Sequence, residues 1–195
     1  MCTNTHPSTV NTQHSTMTDP RVKRISDAMR EIPDFPKPGI QFYDVTTILL
    51  DSEAFQHCVD MMAEHYAEQR VDCIAGFEAR GLIFGAPLAL ALKVPFVPLR
   101  KPGKLPGETM SAEYVTEYST DKIEMHTGAV QPGQRVLLVD DLIATGGTLG
   151  AGIELIGKAG GTVMGAACVV ELPDLKGREK LGDVPLFVLL KKEGL

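Results

Sequence analysis

The chain has 195 residues, 44% of them hydrophobic and 23% charged, with a formal net charge of −6 at pH 7. A chain of this length buries roughly 70% of the surface its unfolded form exposes, so it needs neither disulfides nor a metal to fold. The composition excludes a fully disordered or fibrous protein, and the acidic balance argues against nucleic acid as a partner, because such binding rests on Lys and Arg neutralising phosphates.

Residues 1–18 are rich in Ser, Thr and Asn and carry no Arg and no apolar run. They read as a disordered tail ahead of a single domain over 19–195, not as a secretory signal. Asp19-Pro20 begins a helix, a capping carboxylate followed by proline at the first helical position. Val22, Ile25, Met29 and Ile32 continue it at helical spacing to the break at Pro33. The run Pro33-Asp34-Phe35-Pro36-Lys37-Pro38-Gly39 must be a stiff loop, and 40–44 is short and extended. Ser52 is expected to cap a second helix with Phe55, Cys58, Val59, Met62, Ala63 and Tyr66 on its apolar face.

From there the pattern alternates: a strand over 71–75, a helix over 82–92 and a strand over 94–99. Residues 100–126 are polar and irregular and read as a loop running into an edge hairpin. A strongly apolar strand follows over 135–140, then a helix over 147–158 and strands over 162–172 and 184–190. This alternation predicts an α/β fold with a mostly parallel sheet covered on both faces. The longest apolar stretches, 82–92 and 159–170, fall short of the roughly 20 residues that span a bilayer, so no membrane partner is expected. Cys2, Cys58, Cys73 and Cys168 form no C-x-x-C pair. That suits a reducing compartment and argues against a zinc ribbon.

The strongest chemical signal is the run from Val136 to Thr148, Val-Leu-Leu-Val-Asp-Asp-Leu-Ile-Ala-Thr-Gly-Gly-Thr. Four apolar residues place it inside a sheet, and Asp140 and Asp141 are expected to emerge at the carboxyl end, where ligands of open α/β sheets bind. Ala144, Thr145, Gly146, Gly147 and Thr148 then open a helix whose N–H groups and dipole favour an anion. The acids would repel a phosphate beside them, so they are expected to accept from neutral hydroxyls one step away. A ribose 5-phosphate combines both features. Gly152 to Ala159 nearly spells a P-loop, but Ala replaces the required hydroxyl residue and the run sits in a helical pattern, so it is rejected.

The 136–148 run resembles the phosphoribosyl-pyrophosphate (PRPP) signature of the type I phosphoribosyltransferases. Further matches narrow the resemblance to the adenine phosphoribosyltransferases. Residues 33–42 resemble that family's amino-terminal hood (taken as 33–44), and Glu78-Ala79-Arg80-Gly81-Leu82-Ile83-Phe84-Gly85 its pyrophosphate loop, which often holds a cis peptide. Residues 100–107 and Glu117-Tyr118 resemble the two ends of its mobile lid, about 100–118. Glu171-Leu172 and 175–181 resemble its closing segment.

The resemblance implies a type I phosphoribosyltransferase fold and transfer of 5-phosphoribose from PRPP to N9 of adenine, giving AMP and pyrophosphate in purine salvage. It implies that Asp140 and Asp141 hold the ribose hydroxyls, 144–148 the 5-phosphate, and Arg80, Arg100, Lys101 and Lys104 the pyrophosphate. Phe42 would stack on the purine, backbone groups of Gln41 and Tyr43 would read its edge, and Leu172 would cover its other face. Tyr43 departs from members with Arg at this position, which puts only a side-chain role in doubt. Glu117 would exchange the adenine proton as the catalytic group. Mg²⁺ is expected as cofactor, bound mainly through PRPP and water with no direct protein ligand. A homodimer in the cytoplasm completes the expectation. Two alternatives are the same fold acting on another purine or a cytokinin-like base, and a non-enzymatic PRPP-sensing regulator.

Overall fold

In a computed structural model of the chain, residues 19–115 and 120–193 are described. The first element is α1, Pro20–Ala28, followed by β1, Arg30–Pro33, and β2, Gln41–Asp44. A 3-10 turn over Val45–Leu50 leads to α2, Ser52–Tyr66. Then come β3, Cys73–Phe77, α3, Arg80–Leu92, and β4, Phe96–Leu99. A hairpin of β5, Thr109–Val115, and β6, Thr120–His126, precedes β7, Arg135–Ile143. The chain continues through α4, Gly147–Lys158, and β8, Thr162–Glu171, to β9, Leu186–Lys191.

Strands β4-β3-β7-β8-β9 form one sheet in that order, every pair parallel. A parallel sheet needs cover on both faces, and the side-chain period of two supplies it. Along β7, Leu137 and Val139 join the core beneath α1, α2 and α3, with Ile25, Met62, Phe84 and Leu88. Val136 and Leu138 join the opposite core with Leu155, Ile156, Ile123 and Met125 from α4 and the hairpin. The alternation read from sequence is therefore the architecture observed.

Four expectations change. Helix α1 ends at Ala28, not at Pro33: Met29 is already extended, and Ile32 pairs with Phe42 in an antiparallel β1–β2 ribbon. Proline disfavours the helical region for the residue before it, and the Arg30 N–H goes to Thr47 Oγ1 at 2.8 Å. Asp51, not Ser52, caps α2, its Oδ1 accepting from the N–H groups of Glu53 and Ala54 at 3.0 and 3.1 Å. The strand expected over 71–75 lies at Cys73–Phe77, continuing through Gly76, which pairs with Pro98 and Val139 and whose missing side chain leaves room for the Phe96 ring. The hairpin is no edge of the main sheet. It is a separate two-stranded ribbon against α4, tied to the end of β4 by the Arg100–Glu124 backbone bonds of 2.9 and 2.7 Å.

Candidate active site

All the described candidate residues outside the hood lie where the parallel strands end. Phe77 closes β3, so Glu78, Ala79 and Arg80 stand at the carboxyl edge, and Arg100 follows Leu99 of β4. Next to them β7 runs on to Ile143, past the expected end at Asp140, so Asp141 as well as Asp140 lies within the strand. They are buried, at 9% and 5% exposure. The Asp141 N–H donates to Asp140 Oδ1 at 2.9 Å, and Arg80 Nε donates to Asp141 Oδ2. Burial and the neighbouring Asp141 charge push the Asp140 carboxyl well above its ordinary range. Gly81 makes this approach possible, since a β-carbon there would come 2.6 Å from the Val139 carbonyl oxygen.

Beyond β7 the backbone turns through Ala144 and Thr145 into Gly146, at φ +76°, where α4 begins. Residues 144–149 with Asp140, Leu142 and Ile143 line a recess of about 100 Å³. No side chain caps α4, nor α3, whose first turn carries Arg80 and Gly81. By contrast, carboxylates of Asp19 and Asp51 cap α1 and α2. The first four N–H groups of a helix need partners. At the two uncapped ends these groups and the helix dipole suit an anion. The Glu78–Ala79 peptide is cis, as the resemblance implies for this loop.

The basic cluster is partly engaged. Glu78 Oε2 accepts from Arg100 Nε and from the Lys101 N–H, both at 3.0 Å, and the Arg100 guanidinium holds the Glu78 carboxyl below its usual range. Lys101 and Lys104 are exposed, with Lys101 Nζ 3.9 Å from Asp121. Arg80 stays half-exposed despite its bond to Asp141, so its outer face can still meet an anion. Glu117 and Tyr118, the end of the lid, lie outside the described residues.

On the other flank, half-buried Phe42 meets Phe35 edge to face, their ring centroids 4.9 Å apart. Tyr43 is 8% exposed and donates its hydroxyl to the Glu193 carbonyl at 2.8 Å. The Gln41 amide reaches Glu31 at 3.4 Å. These two side chains thus turn to partners within the protein. Leu172 follows β8, is 8% exposed, and donates its N–H to the Ile143 carbonyl at 3.0 Å.

The phosphoribosyl transferase domain family matches residues 44–190. A wheat (Triticum aestivum) protein named adenine phosphoribosyltransferase 1 is 59% identical over 90% of this chain and 97% of its own. The chain belongs to the adenine phosphoribosyltransferases. A relative from Arabidopsis thaliana, named adenine phosphoribosyltransferase 1, chloroplastic, is 56% identical over 89% of this chain and 71% of its own. The crystal structure of adenine phosphoribosyltransferase from Thermoanaerobacter pseudethanolicus superposes with a TM-score of 0.85. It is 50% identical and covers 88% of this chain and 99% of its own. The five-stranded parallel sheet with flanking helices is the type I phosphoribosyltransferase fold.

Sequence reasoning missed two features of this edge. Glu78, quoted only as part of a motif, ties the Arg80 loop to Arg100. Glu171 and Arg178 form a bidentate ion pair beneath Leu172. A lone acid ending an apolar strand, with a Gly-Arg pair a few residues on, was the available signal.

Proposed function

We infer that this protein transfers the 5-phosphoribosyl group of PRPP to N9 of adenine, releasing pyrophosphate and giving AMP. The observation that carries the reading is the order of chemistry along the carboxyl edge. Basic side chains stand at β4 and β3, buried acids and an uncapped helix at β7 and α4, and an apolar flank at β8 with the hood.

In this arrangement Arg80, Arg100, Lys101 and Lys104 address pyrophosphate, 144–148 the 5-phosphate, and Asp140 and Asp141 the ribose hydroxyls. Gln41, Phe42, Tyr43 and Leu172 enclose the base. The bond from the ribose carbon to pyrophosphate breaks, the bond to N9 forms, and the adenine proton passes to Glu117. No covalent nucleophile is required. The work is positioning, with negative charge held beside a ribose carbon that becomes cationic. Asp140 and Asp141 offer only oxygen donors, the type a hard cation takes. Mg²⁺, held mainly by PRPP oxygens and water, would neutralise the leaving pyrophosphate. Replacing Glu117 by Leu lowers kcat by about 10²–10⁴-fold, measured where chemistry limits turnover.

Residues 19–195 act as one domain, with hood 33–44 and lid 100–118, in the cytoplasm. Fractionation of cells probed for the endogenous protein checks the location. A homodimer fits the outer face of α3, where Leu90 is 81% and Ile83 37% exposed. Equilibrium sedimentation tests the dimer. The decisive experiment mixes PRPP and Mg²⁺ with adenine, hypoxanthine and a substituted adenine in turn. Pyrophosphate and AMP from adenine at the highest kcat/KM are expected. Preference for another base, or no release with any base, overturns the reading.

A further inference from the structure

Glu171 closes the apolar strand β8, with its side chain only 6% exposed. Arg178 meets it through both arms of the guanidinium: Nε donates to Oε1 at 2.5 Å and Nη2 to Oε2 at 2.8 Å. The remaining nitrogen, Nη1, donates to the Leu186 carbonyl at the start of β9, at 3.1 Å. A bidentate fork fixes orientation as well as distance. The ion pair therefore closes residues 172–177 into a ring seated on the end of the sheet.

That ring touches β7 and its outgoing loop at both ends. At its start, the Leu172 N–H donates to the Ile143 carbonyl at 3.0 Å. At its finish, Gly177 lies against the turn into α4 so closely that a β-carbon on it would strike the Ala144 carbonyl and approach the Gly146 nitrogen to 3.0 Å. Gly146 in turn has no room for a β-carbon against the Gly177 carbonyl. One short segment thus carries the residue assigned to the base at one end and braces the 5-phosphate loop at the other.

We propose that Arg178, acting through Glu171, is a positioning residue that sets the spacing between the base subsite and the 5-phosphate subsite. A ligand filling either subsite alone tolerates a shifted ring. A ligand spanning both must find them in register, and lost preorganisation weakens it. The inference rests on the placement of adenine at Leu172. If that placement fails, Leu172→Ala leaves adenine affinity unchanged. If only the brace fails, the Leu172→Ala effect remains.

Calorimetry on Arg178→Lys, which keeps the charge and loses the fork, tests it with adenine, ribose 5-phosphate and AMP as separate probes. AMP is expected to bind about tenfold more weakly, with each fragment changed by less than about twofold. An AMP loss no larger than the product of the two fragment losses overturns the proposal, because a general loosening would give that result. Loss of the Arg178 fork leaves the buried Glu171 charge poorly paired, which can unfold a protein, so Glu171→Leu/Arg178→Met, apolar at both positions, provides a second reading of the same ratio. If neither variant folds, the pair is a folding element and the proposal fails.

Discussion

Helices α1 and α2 begin differently from α3 and α4. Asp19 and Asp51 accept the first N–H groups of the former pair, whereas Ala79 and Gly146 offer the latter no side-chain acceptor. All four ends present first-turn N–H groups that need partners, one fewer in α1 because Pro20 has none. Where an end serves only the fold, a carboxylate fills the need permanently. Where an end faces the carboxyl edge of the sheet, no side chain fills the need, as the proposed phosphate sites require. The same contrast appears in the turns, since Gly146 sits at positive φ against Gly177 while Asp51 is extended and partly exposed.

The contrast breaks most sharply if an acid is placed at a vacant end. Thr145→Asp sets a fixed negative charge in the loop before α4. It is expected to lower kcat/KM for PRPP by about 10²–10³-fold, because juxtaposed like charges cost several kcal/mol. Its Tm, followed by circular dichroism, should move little.

Asp140→Asn separates site chemistry from stability. The folded carboxyl is raised above its unfolded value near 3.8, so the native state binds the extra proton. Stability from this group is present at low pH and is lost as pH rises through the raised value. Asn keeps an acceptor for the Asp141 N–H without that loss. The variant should gain about 1 kcal/mol at neutral pH, converge with the parent below about pH 4, and use PRPP at least about tenfold less well. Urea midpoints across pH check the sign, and equal midpoints at every pH would contradict it.

Asp51→Ala should do the opposite, costing about 1 kcal/mol of stability while leaving KM and kcat unchanged. A change in KM for either substrate would mean that capped and uncapped ends are not separable.

What the sequence disclosed was local. The 136–148 run contains its own strand, turn and helix start, and the start at Gly147 stands where periodicity and glycine put it. The continuous apolar run Val136–Val139 marks a strand buried on both faces, and successive side chains enter opposite cores because their direction alternates along a strand. The hood did not yield so readily. Ile32 looks helical by spacing with Val22, Ile25 and Met29, and only its pairing with Phe42 across the proline loop makes it a strand residue. Asp51 and Ser52 are both good caps, so composition could not choose between them. Glu171 and Arg178 are near in sequence, yet their meaning depends on Gly177 reaching Ala144, a contact no periodicity encodes.

The Tyr43 hydroxyl bond to the Glu193 carbonyl also bears on the order in which the molecule is made. These residues are separated by 150 positions, and Lys192 adds an ion pair to Glu31 at 2.8 Å. During synthesis the ribbon that carries Phe42 leaves the ribosome early, while its anchor, Lys192 and Glu193 just after β9, arrives among the last residues described. Contacts so distant in sequence form only after the intervening chain has paid its loop-closure entropy. The nascent chain can therefore complete the turn into α4 before its hood is fastened, and the ribbon that carries Phe42 is held only once the residues after β9 are in place.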